Sequence, residues 1–75
     1  VALAKDDARG AVLAFQRAFD LTVDPYYQAL ALSGLARGHA EAGSVADARA
    51  ALARLRRDYP ARADAIAAAE AVVAP

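Results

Sequence analysis

His39, Ser33, Ser44, a run of arginines and the pair Tyr26-Tyr27 are the residues of this chain whose types could do chemistry. A lone histidine can act as a base or as one metal ligand, but zinc takes three or four protein ligands. Glu41 and Asp47 have no spacing that converges on His39, so it reads as a packing residue of a helix. Ser33 precedes Gly34 and Ser44 follows Gly43, yet neither stands in the strand-turn-helix elbow that presents a nucleophile in G-x-S-x-G sequences. Arg49, Arg54, Arg56, Arg57 and Arg62 could neutralise phosphates. Asp47, Asp58 and Asp64 dilute that field, and the net charge is zero, where a nucleic-acid binder carries a basic excess. A solvated helix face is the expected role of these arginines. No catalytic, cofactor or metal site is expected, and neither nucleic acid nor membrane is expected as a partner.

Tyr26 and Tyr27 occupy successive helical positions, about 100° apart. One is expected to enter the core. The other either points outward, where tyrosine anchors partners well, or packs with its neighbour against Phe19. Gly34 and Gly38, four residues apart, make a small face that lets another helix approach closely; packing inside the domain is its expected use.

The elements that must position these residues centre on 29–60, two antiparallel helices folded back at Gly43. Asp24 is a suitable N-cap and Pro25 fits the first helical position, which needs no amide hydrogen. Leu32, Leu35, Ala36 and His39 then share a face. Gly43 enters the left-handed conformation that ends a helix. Ser44 caps the next helix, with Asp47 as a short version of the capping-box acid. Val45, Ala48, Leu52 and Leu55 form its buried face, and Tyr59-Pro60 stops it. Before this hairpin, 8–22 reads as a helix capped by Asp6 or Asp7, with Ala8, Ala11, Val12, Phe15, Ala18 and Phe19 as its stripe. After it, 61–74 reads as a closing helix that buries Ile66, Ala69 and Val73.

Seventy-five residues make one small domain, near the size at which a single core is marginal without a staple. There is no cysteine to supply one. Hydrophobic residues reach 59%, but much of that is alanine, which favours helix and buries little area. Tight helix packing is therefore expected rather than a thick core. The Ala and Arg richness suggests a GC-rich bacterial genome. The compartment stays open between cytoplasm, which is favoured, and periplasm. A start at Val1 suggests a piece of a larger protein, removal of a preceding methionine being the alternative.

The central stretch resembles a tetratricopeptide repeat, a unit of about 34 residues with large, small and aromatic residues at fixed places on two helices. Leu32 takes the tryptophan place, Leu35-Ala36 the Leu-Gly pair and His39 the tyrosine place. Gly43 falls at the turn glycine, Ala48 at the most constant alanine, Leu52 at the phenylalanine and Pro60 at the terminal proline. Leu55 departs from the pattern, standing where a small alanine is usual. Ala11, Phe15 and Ala18 repeat the spacing of Ala48, Leu52 and Leu55. The resemblance implies an all-α fold: about four helices as antiparallel hairpins stacked in a short, right-handed α-solenoid. It divides the chain into a truncated repeat (1–28), a complete repeat (29–62) and a closing helix (63–75), with residues 1–5 as the tail of a cut first helix.

Such repeats are typically scaffolds whose first helices line a groove. The resemblance places Leu30, Ser33, Arg37, Ala40 and Glu41 in that groove, and Tyr26 joins them as an outward anchor. Arg37 would pair with a carboxylate of a bound segment, and Leu30 would give an apolar contact. Arg37 stands where the clamp for C-terminal carboxylates needs asparagine, so that activity is not expected. The implied function is a non-catalytic protein-interaction module with a protein or peptide partner. The alternatives are a self-association domain forming a homo-oligomer, or a helical accessory domain of a larger enzyme or regulator.

Overall fold

The computed structural model of the chain describes residues 5–73. Four helices follow one another: α1 (Lys5–Leu21), α2 (Pro25–Glu41), α3 (Val45–Asp58) and α4 (Ala63–Glu70). No strand occurs among the described residues. Short connections force each helix to run antiparallel to the one before it, and the result is a stack of helical hairpins.

The start of α2 is built by its sequence. Asp24 is extended at φ −82°, ψ 118°, and its carboxylate accepts from the Tyr26 amide at 2.9 Å, with Pro25 at the first helical position. The other end closes on Gly43 at φ 86°, in the left-handed region. The Ser44 amide there donates to the His39 carbonyl at 2.8 Å and satisfies a terminal acceptor of α2. Ser44 does precede α3, but its side chain makes no capping bond.

Helix α2 is the centre of the packing, against α1, α3 and α4 in turn. Ala29, Leu32, Leu35 and Ala36 join Ala48, Leu52 and Leu55 of α3 and Ala65 and Ala69 of α4 in one core, closed by Val73. Leucine burial at these sites contributes about 2 kcal/mol per side chain. Alanine does the rest by letting helices approach. On the α1 side that role falls to glycine: a Cβ at Gly34 would overlap the Phe15 ring, and one at Gly38 would meet Val12 Cγ2 at 2.9 Å. The small face of Gly34 and Gly38 therefore serves packing inside the domain.

Both turns at one end share a side-chain amide. The Tyr59 hydroxyl donates to Gln28 Oε1 at 2.8 Å, and Gln28 Nε2 donates to the Thr22 carbonyl at 3.0 Å.

Several expectations need correction. Lys5 is already helical, so Asp6 and Asp7 lie within α1 rather than at its cap. Lys5 thus belongs to α1 and not to the tail of an earlier helix; residues 1–4 lie outside the described residues. Ala18 is exposed, because it sits beyond the Val12, Phe15 and Phe19 line that meets α2. Val45 is 50% exposed. Helix α4 runs back along α3 and its last residue, Glu70, already pairs with Arg56, so the first turns of α3 extend past it. The closing helix is eight residues long and not fourteen: Arg62 turns back onto the Tyr59 carbonyl at 3.0 Å, and Val72 onto that of Ala69 at 3.1 Å. Two successive β-branched valines follow, which favour helix poorly. Ala74 lies outside the described residues.

Gly10 is an interior glycine of α1 with nothing within 4 Å of an added Cβ. Gly10→Ala is expected to stabilise the isolated chain by about 1 kcal/mol through helix propensity alone. A rise in the thermal unfolding midpoint, followed by circular dichroism, checks this.

Candidate functional site

Three helices pack on α2 and leave two stretches of one line exposed, on either side of Ser33. Tyr26, Leu30, Arg37 and Glu41 follow at spacings of four, seven and four, which is one face of a helix. Tyr26 is 39% exposed and Leu30 37%; Arg37 and Glu41 are exposed.

Two residues expected in the groove are covered: Ser33 stands on this same line, between Leu30 and Arg37, but lies under α4, and Ala40 borders it. Ser33 is 1% exposed. Its hydroxyl donates to the Ala65 carbonyl at 2.8 Å and ties α2 to α4, so it faces the helix seam and not a ligand. A buried hydroxyl needs such a partner to offset its lost water. Ala40 is half-buried against the core.

The open line carries one oriented cation. Arg37 Nε donates to the Ser33 carbonyl at 3.3 Å, one turn back along its own helix. No carboxylate pairs with it among the described residues, so the terminal nitrogens of its guanidinium fork stay open to a carboxylate ligand.

Tyr26 and Tyr27 stack edge to face, with centroids 5.3 Å apart and planes at 80°. Neither enters the core. The Arg62 guanidinium lies over the Tyr26 ring, 4.7 Å from its centroid, and holds the ring by a cation–π contact. Tyr27 helps line an apolar hollow of about 320 Å³ between α1 and α2, with Phe15, Ala18, Leu30 and Ala31. Sequence reasoning read Arg62 as part of a solvated helix face and missed both its contact with Tyr26 and this hollow. The three-residue spacing of Tyr27 and Leu30, on the flank of α2 that carries Gly34, was a usable signal for the hollow. Nothing local marked Arg62, whose approach to Tyr26 depends on the turn after Tyr59.

The other candidates are placed elsewhere. His39 is half-buried and lines a second hollow of about 300 Å³ with Arg9, Val12, Leu13 and Ala42. Among the described residues no group of three His, Cys, Asp or Glu side chains is arranged to hold a metal ion. Along α3, Arg54 lies 3.6 Å from Asp58 and also covers the Phe19 ring, and Arg56 pairs with Glu70. Arg57 donates to Asp58 at 3.0 Å, and that hydrogen bond holds the Asp58 carboxyl below the usual range. The arginines in the C-terminal part of α3 are thus each paired with Asp58 or Glu70 rather than forming an open basic patch. Among the described residues no helix is long and apolar enough to cross a membrane.

The arrangement offers an apolar hollow, an oriented guanidinium and a tyrosine on one open face, which are means of recognising side chains. Comparison of the chain with protein-family models, with curated proteins and with solved structures finds no match.

Proposed function

We propose that this chain is a non-catalytic protein-interaction module of tetratricopeptide-like kind, which takes a peptide segment of a protein partner along the open line of α2. The observation that carries this is the exposure, along one line of α2, of Tyr26 and Leu30 on one side of the covered Ser33 and of Arg37 and Glu41 on the other. Balanced charge and the paired arginines of α3 favour protein over nucleic acid. Leu30 and Arg37 are two helical turns apart, about 10 Å. The matching segment presents an apolar side chain to the hollow and a carboxylate about that far along.

Peptides selected from a random library against the folded chain provide the test. Bound peptides are expected to shift the backbone amide resonances around Tyr26, Leu30 and Arg37. Arg37→Glu should weaken binding about tenfold or more, since it replaces an attractive ionic hydrogen bond with repulsion. Arg37 is exposed, so the helical circular dichroism should be unchanged. Equal affinity for the variant, or shifts confined to another face, would remove α2 as the site.

A further inference from the structure

The face of α1 turned away from α2 has a pattern of its own. Asp7, Gly10, Ala14, Arg17 and Leu21 follow at spacings of three, four, three and four, the spacing of a two-helix seam, with small residues at its middle and charges flanking them. The residues that meet α2 – Ala8, Val12, Phe15 and Phe19 – lie on the opposite side. Ala14 is exposed, Leu21 is 78% exposed and Leu13, which borders the seam, 72%. Helix α1 packs along α2, and the Arg54 guanidinium of α3 reaches its Phe19 ring on the inner side.

The seam is self-complementary when reversed. Asp7, Gly10, Ala14 and Arg17 lie symmetrically about position 12. An antiparallel second copy sets Asp7 against Arg17, Gly10 against Ala14, Ala14 against Gly10 and Arg17 against Asp7. Glycine and alanine at the middle let the backbones come close, while two symmetric ion pairs close the ends. A parallel copy would set like charges together. Asp7 and Arg17 have no ion pair within the chain among the described residues. Nothing inside the domain requires Gly10, since an added Cβ meets nothing within 4 Å.

We infer that α1 is a homodimer surface on which two copies of this chain pair antiparallel about a two-fold axis near position 12, held by reciprocal Asp7–Arg17 ion pairs. This surface is separate from the open line of α2 and does not depend on the function proposed for it. An interface one helix wide is at the small end of specific contacts, under about 1,200 Å² in total, so association is weak and concentration-dependent.

Charge reversal gives the test, read by sedimentation velocity from micromolar to millimolar concentration. The wild-type chain should pass from monomer to dimer. Asp7→Arg alone and Arg17→Asp alone should each weaken dimerisation on the order of tenfold, with helicity retained because both side chains are exposed. Mixed in equal amounts, the two variants should form a heterodimer, since both ion pairs are restored only across that pair. A wild-type chain that stays monomeric throughout overturns the inference and leaves the α1 face to another segment or partner. Variants that dimerise as the wild type does, or a mixture that stays monomeric, overturn it as well.

Discussion

Gly34→Val is expected to destabilise the fold by about 3 kcal/mol, from overpacking against the Phe15 ring. Position 34 lies mid-helix in α2, where even a Cβ overlaps the Phe15 ring. Propensity points the other way, because glycine is the poorer helix former. Packing wins because the Phe15 ring already lies against α2, and valine adds two methyl groups beyond the Cβ. A single core of this size supplies roughly 3–5 kcal/mol, so the variant should keep about 0–2 kcal/mol and unfold at much lower urea. Urea unfolding followed by circular dichroism measures it. Gly10→Val is the matched control, at a position with nothing within 4 Å, and its midpoint should scarcely move. A Gly34→Val midpoint equal to that of wild type would mean that α1 and α2 do not meet at Phe15.

Leu55→Ala carries the other large effect, a loss of about 3 kcal/mol. Leu55 is 0% exposed and shares the core with Leu32, Leu52, Ala65 and Ala69. The tetratricopeptide pattern has a small residue at this place, so resemblance alone would make alanine the natural choice there. Burial argues the opposite: removing the leucine side chain leaves a cavity that the rigid neighbouring helices fill only in part. The unfolding midpoint decides between the two arguments, and a stable, cooperatively folding Leu55→Ala chain would show that α2, α3 and α4 can close over the gap.

Signals carried by neighbouring residues were the ones the sequence stated clearly. Asp24-Pro25 and Gly43 set the two ends of the central hairpin because capping and left-handed turns depend on a few adjacent residues. The buried faces of α2 and α3 followed from helical period. What escaped depends on elements distant in sequence. Ser33 looks like a groove residue until α4 brings the Ala65 carbonyl beside it. Val45 looks buried until the short α4 stops before reaching it. Of the six groove residues, Tyr26, Leu30, Arg37 and Glu41 are open, while Ser33 and Ala40 turn inward. The α1–α2 hollow needed two helices in register before it existed.

The two ends of the stack differ in how they would accept new chain. Near Gln28, the Thr22 and Tyr59 connections hang on the same side chain. Lengthening either loop would draw its anchor off that amide and leave the other half of the bridge unsupported. The Gly43 turn has no such cross-link among the described side chains and depends on local backbone bonds. Tags, grafted epitopes or a permuted pair of termini therefore belong at the glycine end, where the cost of opening stays local.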